Sequence, residues 1–264
     1  MEFKNLTDAY RKLGVSYIGN VSHSAKLVHS LSVNVATYGI YFASSNLSGY
    51  QACSNDKACR AHCLFSSGHN KLEILAGKHT ITNARIKKTK AFFEEREFFV
   101  KAVFAEIEKA KAKAEKEGHH FAVRVNCTSD LDIRDFEADG VNICDKFKSV
   151  DFYDYTKNPA YLSNAKRYSN LDYTFSYSGY NWDLCQKALE SGTRVAVVFD
   201  SVLPKRFHGY EVIDGDLSDY RPADPHNVIV GLKFKVTANS IKNNKVKIPS
   251  TPFVVTKDNK FCEY

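Results

Sequence analysis

The chain has no apolar run approaching the roughly twenty residues that a membrane helix needs. Its opening stretch, MEFKNLTDAYRKLG, is charged and lacks the continuous apolar segment of a secretory signal. Absent too are the GxxxxGK[ST] phosphate loop, a GxGxxG turn after a strand, HExxH and GxSxG. The common nucleotide-cradling, zinc-protease and serine-hydrolase signatures are thereby excluded. Acidic residues are in deficit, 30 against 37 Lys and Arg, for a formal net charge of +7. That balance is compatible with a phosphate-bearing partner, but the excess sits in residues 87–90, 101–116 and 242–247, where a solvated helix face and a basic loop account for it. A cytosolic protein with no membrane contact is expected, its cysteines reduced unless a metal holds them. Disorder is excluded, because 44% hydrophobic and 13% aromatic residues over 264 positions supply ample core material.

What the chain does have is a cysteine-bearing loop, ACSNDKACRAHCL, that carries Cys53, Cys59 and Cys63, three of the seven cysteines. Thiolates are soft ligands for zinc or iron, and three on one loop leave a fourth coordination position for another ligand or a substrate. A disulfide with one spare cysteine, or simple packing, would give the same count. The intervening Ser54, Asn55, Asp56, Lys57, Arg60 and His62 are polar or charged, so a shared apolar face explains the spacing poorly. Metal or cluster ligation is the expectation.

Along the chain, a short amphipathic helix is expected near residues 6–13, followed by a polar run in which His23, Lys26 and His29 are candidates to face a site. Residues 31–43, LSVNVATYGIYFA, have the β-branched and aromatic content of a buried strand, and the cysteine loop follows it. Residues 70–76 and 81–104 read as helix, the second running on through EIEKAKAKAEKEG to a stop at Gly118. From His120 onward the runs FAVRVN, VDFYDY, DYTFSYS, RVAVVF, YEVID and NVIVGLKF recur as six further strand candidates. Helical segments of crossover length at 133–148 and 181–191 separate some of them. Near-continuous apolar strands separated by helices indicate a parallel sheet, and about seven of them predict a complete or partial parallel β/α, TIM-like barrel. One domain is expected, with an N-terminal extension over 1–30, a barrel core over 31–235 and a capping segment of two short strands over 236–264.

Ligands bind at the carboxyl ends of parallel strands, so the polar residues ending each run form the candidate site. Asp130, Asp154, Lys157 and Asp214 are the candidate catalytic groups. Arg124, Asn126, Ser129, Tyr155, Ser176, Ser178, Asn181, Asp216 and Lys233 are the candidate substrate-binding groups. Cys127 ends one run but reads as packed beside the rim, and Cys144, Cys185 and Cys262 as structural. Tyr153, Tyr155, Tyr161, Tyr168, Tyr173, Tyr177, Tyr180 and Trp182 crowd the middle of the chain near Lys157, Lys166 and Arg167. Such rings serve single-strand nucleic-acid binding, although much of the set serves equally as strand and core material.

The series CRAHCLFSSG, ARIKKTKAFFEER, RVNCTSD, FYDYTK, VAVVF, HGYEVIDGDLSDYR and VIVGLK resembles the gene-product-88 family of bacteriophages, from about Tyr38 to Phe234. The resemblance implies a phage origin, and hence the cytoplasm of the infected cell, rather than a reaction. A weaker likeness is to radical S-adenosylmethionine enzymes, where a three-cysteine loop after the first barrel strand holds a [4Fe-4S] cluster with one iron open. The spacing here, five and then three intervening residues, is wider than theirs, and no glycine-rich methionine-binding strand is present. Two functions follow as expectations. One is an iron–sulfur enzyme modifying a nucleotide, nucleic acid or peptide, with Arg124 and Lys157 offering charge to phosphate or carboxylate and S-adenosylmethionine as a possible cofactor. The other is a non-catalytic, metal-stabilised protein acting on a host factor or nucleic acid, its zinc completed by His62, His69 or Cys127.

Overall fold

The computed structural model describes residues 3–22, 25–242, 245–246 and 251–264. His23, Lys247 and residues 248–250 of the expected tail strand lie outside the described residues, as does the side chain of Lys26. The main sheet has eleven strands. They are β1 Gly19–Val21, β2 Val35–Ile40, β3 His120–Arg124, β4 Asp151–Thr156, β5 Leu171–Ser176, β6 Val195–Phe199, β7 Arg206–Phe207, β8 Tyr210–Asp214, β9 Ile229–Lys233, β10 Val254–Val255 and β11 Cys262–Glu263. Their order across the sheet is β1-β2-β3-β4-β5-β6-β9-β8-β7-β11, with β10 also paired to β6. The run from β2 to β8 is parallel throughout. The seven strands expected from the apolar runs are those seven.

The barrel expectation is corrected: the fold is mixed α/β with a mostly parallel central sheet, and that sheet does not close. Two features oppose closure. β9 inserts between β6 and β8, so chain order and sheet order part company. Both margins are finished by short antiparallel strands, β1 on β2 and β7 with β11 beyond β8. The register between β5 and β6 is short, only Phe175 with Val195 and Ser176 with Ala196, and β10 takes the place beside the projecting tip of β6. The tail thus enters the sheet rather than capping a barrel.

The helices are α1 Leu6–Leu13, α2 Ala25–Val28, α3 Gly68–Leu75, α4 Thr80–Glu94, α5 Arg96–Lys116, α6 Ile143–Lys146, α7 Pro159–Ala165 and α8 Trp182–Glu190. The long helix expected from residue 81 is broken at Glu95, whose backbone (φ −131°, ψ 45°) leaves the helical region. The break lets Phe92 and Phe99 pack on each other at 5.6 Å while both meet Phe42, at 5.3 and 5.9 Å. The crossover helix expected over 133–148 is instead a 3-10 turn, a two-residue hairpin and the single-turn α6. Asp139 and Gly140, both with positive φ, make that hairpin turn.

Period-two alternation separates the two faces of the sheet. On one, Phe121, Val123 and Phe152 join the cluster formed with α4 and α5, while Phe175, Val195 and Val197 pack against Cys185 and Leu189 of α8. The other face bears Ala122, Arg124, Tyr153, Asp172, Thr174 and Ser176 by register, and Tyr220 packs there against Tyr153.

The N-terminal segment is fixed to α5 by one carboxylate. Buried Glu106 accepts hydrogen bonds from the hydroxyls of Tyr10 and Tyr38 and from the backbone N–H of Ile18 at 3.1 Å and Gly19 at 2.8 Å. A side chain at Gly19 would overlap the Tyr38 ring, so the close approach requires glycine. Glu106→Ala would strand four donors, and a loss of about 3 kcal/mol or more is expected, since each unsatisfied buried group costs about 1–3 kcal/mol. Urea unfolding measures it; a loss below about 1 kcal/mol would show that this hub does not hold the segment.

Candidate functional site

The carboxyl ends of β2, β3 and β4 are joined by side chains and backbone from the loops that leave them. The loop after β2 is held by Ala43 N–H on Thr89 Oγ1 at 2.8 Å and by Thr128 Oγ1 donating to Phe42 O at 2.7 Å. Further on, Asp130 N–H donates to Ala52 O at 2.8 Å, and Cys53 pairs with Asp130 as an isolated parallel bridge. Asp56 then organises the turn that follows. Its carboxylate takes Arg60 in a two-pronged ion pair at 2.9 and 3.0 Å, and its carbonyl accepts the Cys59 N–H at 3.1 Å. Cys59 Sγ lies 3.7 Å from that same carbonyl, and Cys63 Sγ accepts the Phe65 N–H at 3.4 Å.

Lys157, the first residue past β4, donates its backbone N–H to Asp130 Oδ2 at 3.0 Å. Its ammonium is partly withdrawn from solvent, which disfavours the charge, but Cys59, Asp130, Cys53 and Cys63 all act on it and raise its pKa overall. Burial pushes the Cys53 thiol up to about 12, with Cys63 and Asp130 adding to the effect and Lys157 opposing it. Burial likewise raises Cys59, against the pull of Lys157. Two of the three loop cysteines are thus held as neutral thiols at neutral pH, around a charged lysine. Asp130 Oδ1 and His62 Nδ1 are buried without a hydrogen-bond partner.

The fold therefore brings Cys53, Cys59, Cys63, Asp130 and Lys157 together. It does not arrange them as ligands: among the described residues no group of three or more His, Cys, Asp or Glu side chains could hold a metal ion. All seven cysteines are free of disulfides.

A second polar centre lies beside the first. Arg124 at the end of β3 is buried and paired twice, to Asp154 through Nε at 3.3 Å and to Asp219 through Nη1 at 2.8 Å, while its guanidinium lies 4.8 Å over the Tyr155 ring. Asn126 N–H donates to Asp154 at 2.9 Å, and the Asn126 side chain ties down Ser129 at 2.7 Å and Leu131. Burial drives Asp154 up to about 7 despite the opposing pull of Arg124 and Asn126. Asp219 is absent from the sequence-expected set: it arrives from the loop after β8, across the sheet, and no spacing in DGDLSDYR announces that contact.

The remaining candidates stand apart from the thiols. Asn181 ties Ser176 and Ser178 into the turn before α8, accepting Ser178 N–H at 2.7 Å and donating to Ser176 O at 3.1 Å. Asp214, Asp216 and Lys233 bind one another at the ends of β8 and β9, with Lys233 Nζ 3.4 Å from Asp214 and its N–H 3.1 Å from Asp216. Cys127 packs against Gly39 with its thiol 3.6 Å from Arg124 O. Of the aromatics, Tyr153, Tyr168 and Tyr173 are buried, and Trp182 packs on Tyr177, Phe207 and His208. Those rings are core material, whereas Tyr180 of the same set stands exposed.

Fold and site together define an α/β protein with an open, mostly parallel sheet and a thiol, lysine and carboxylate cluster at its carboxyl edge. The family profile of gene product 88 matches residues 6–248, so the chain belongs to that family of phage proteins. No curated protein matches it, and no solved structure does. The likeness to radical S-adenosylmethionine enzymes finds no support in these comparisons. No helix among the described residues is long and apolar enough to cross a membrane.

Asp154 makes stability depend on pH with a definite sign. Its folded pKa, about 7, lies above the ordinary 3.8, so the native state holds the proton more tightly than the unfolded chain. Its contribution is full below about pH 4 and is lost as pH rises through about 7. Asp154→Asn is expected to flatten the decline in unfolding free energy between about pH 5 and about pH 7.5. Parallel pH profiles for the parent and the variant would refute this.

Proposed function

We propose that the cluster at the carboxyl edge is the functional centre of this phage protein, and that Cys53, Cys59 and Cys63 take up a soft metal centre, a [4Fe-4S] cluster or a zinc ion. One observation carries the reading: Cys53, on the polar loop that also bears Cys59 and Cys63, is bridged to Asp130, whose carboxylate accepts the Lys157 N–H at the end of an adjacent strand at 3.0 Å. As they stand the residues do not fit a metal, because the ligand atoms are not gathered and burial keeps the Cys53 and Cys59 thiols protonated. Loading must draw the loop together and release protons, a coupling common to thiolate sites.

In the enzyme form of this reading a nucleotide, nucleic acid or peptide is modified, Lys157 takes a phosphate or carboxylate of the substrate, and Asp130 moves a proton or binds a hydroxyl. Arg124 serves as scaffold there, being already engaged by Asp154 and Asp219. The second reading, a zinc-stabilised binding protein, is favoured by one specific observation. His62 Nδ1 on the same loop is buried and unpartnered, and would complete a closed site of three sulfurs and one nitrogen.

Iron, zinc and sulfide are measured per chain after anaerobic reconstitution. Replacing any one of Cys53, Cys59 or Cys63 by Ala is expected to remove most of the metal, whereas Cys262→Ala keeps it. Zinc without sulfide, lost in His62→Ala, selects the second reading. Full metal content in Cys59→Ala sinks both.

A further inference from the structure

The amino edge of the sheet, opposite the thiols, carries another meeting of chemistry-bearing side chains. His120 opens β3 and Asp151 opens β4, and the register that sets Ala122 beside Asp151 leaves both side chains on one face. His120 Nε2 lies 2.7 Å from Asp151 Oδ2. Tyr220, carried over that face by the loop after β8, donates its hydroxyl to the same Asp151 oxygen and stands 3.4 Å from His120 Nε2. One nitrogen and two oxygens from three separate elements thus form a triangle. Two of its corners are fixed from outside: His120 N–H donates to Asn34 O at 3.0 Å, and the Tyr220 ring meets Tyr153 edge-on at 5.7 Å while the neighbouring Asp219 pairs with buried Arg124 at 2.8 Å. The side chains of His120 and Asp151 are 48% and 37% exposed, so an ion reaches them from solvent.

We propose that His120 Nε2, Asp151 Oδ2 and the Tyr220 hydroxyl oxygen form a three-donor site for a ferric ion, with solvent in the remaining coordination positions. Donors held by one first-row metal at about 2.0–2.2 Å and at right angles stand about 3 Å apart, and the triangle is already near that size. The set is hard, a carboxylate and a phenol with one imidazole and no sulfur, which suits iron(III) rather than the soft centre that thiolates take. Burial and the hydrogen bond to Asp151 hold the Tyr220 hydroxyl above the ordinary phenol range, so its proton yields to a strong Lewis acid, and a trivalent ion is a stronger one than a divalent ion of similar size. On binding, that proton passes to water, His120 takes the tautomer with its hydrogen on Nδ1, and Asp151 exchanges its hydrogen bonds for the metal. The ion then joins the amino ends of β3 and β4 to the loop that bears Asp219 and Arg221, and so fastens the cover of the polar face.

The full-length protein is mixed with ferric nitrilotriacetate, without sulfide, and freed of unbound iron by gel filtration. Retained iron is expected to show a visible phenolate-to-iron charge-transfer band and resonance-enhanced phenolate ring vibrations. Tyr220→Phe should abolish both while its circular dichroism matches the parent's. His120→Ala and Asp151→Asn should each weaken iron retention by at least about tenfold, the scale on which even outer partners of a metal site act. Tyr180→Phe, at an exposed ring outside the triangle, should change nothing. Iron held without phenolate vibrations would overturn the proposal, as would a band that survives in Tyr220→Phe or a protein that emerges free of iron. If Tyr220→Phe does not fold, the vibrations of the parent and the iron retention of Asp151→Asn decide. Cys59→Ala should keep the band, which separates this site from iron held by the loop thiols; its loss there would count against the triangle and not against the thiols.

Discussion

The pairing of Cys53 with Asp130 makes the cysteine loop part of a site. The loop leaves β2 and Asp130 lies in the segment that leaves β3, so a backbone bridge between them stitches together the exits of two adjacent strands. Asp130 then reaches the exit of a third strand by accepting the Lys157 N–H. One residue thus ties three consecutive carboxyl ends, and the thiols and the lysine inherit their proximity from it. Without that bridge, the polar stretch from Ser54 to His62 would have little reason to fold back over the sheet, since it offers almost nothing to a hydrophobic core.

Charge balance separates the two neighbouring polar centres in kind. Around Arg124 one cation faces two carboxylates, Asp154 and Asp219, and burial resolves the excess by driving Asp154 towards its neutral form. Both carboxylates there pair with the one guanidinium, as members of a structural network do. Around Lys157 one cation faces one carboxylate, Asp130, together with the Cys53 and Cys59 thiols held neutral by burial. The two centres thus differ in how their charges are met, although both stand at the same edge of the same sheet.

The strands were legible because a buried parallel strand must be apolar along its length, and each run from FAVRVN to NVIVGLKF announces itself locally. The convergence of Lys157 and Asp130 with the cysteine loop was legible too, since parallel strands present their exits at one edge. What lay beyond the sequence was pairing. Nothing in NVIVGLKF says that β9 will insert between β6 and β8, and that one choice spoils the sequential order on which a barrel depends. The stretch 133–148 carries helix-compatible residues, but Asp139-Gly140 turns the chain and the helix never forms. Asp219 was invisible for the same reason as β9: its partner Arg124 is far away in the chain, and no periodicity encodes a contact across the sheet.

The openness of the sheet follows from what its second face carries. A closed barrel fills its interior with layers of branched apolar side chains. Here that face holds Arg124, Tyr153, Asp172 and Thr174, with Arg194 paired to Asp172 at 2.7 Å and donating to Asp224 O at 3.1 Å. Such groups need partners, and strands packed edge to edge around a dry core could not supply them. The 3-10 turn Arg221–Ala223 and its neighbours Tyr220 and Asp224 come over this face instead, and Arg221 pairs with Asp224 at 2.8 Å. A loop can bring carboxylates and carbonyls to buried arginines where another strand would bring only the next rung of the ladder. The polar face therefore selects a covering loop over closure, and the sheet that results leaves its carboxyl edge free to carry the thiols.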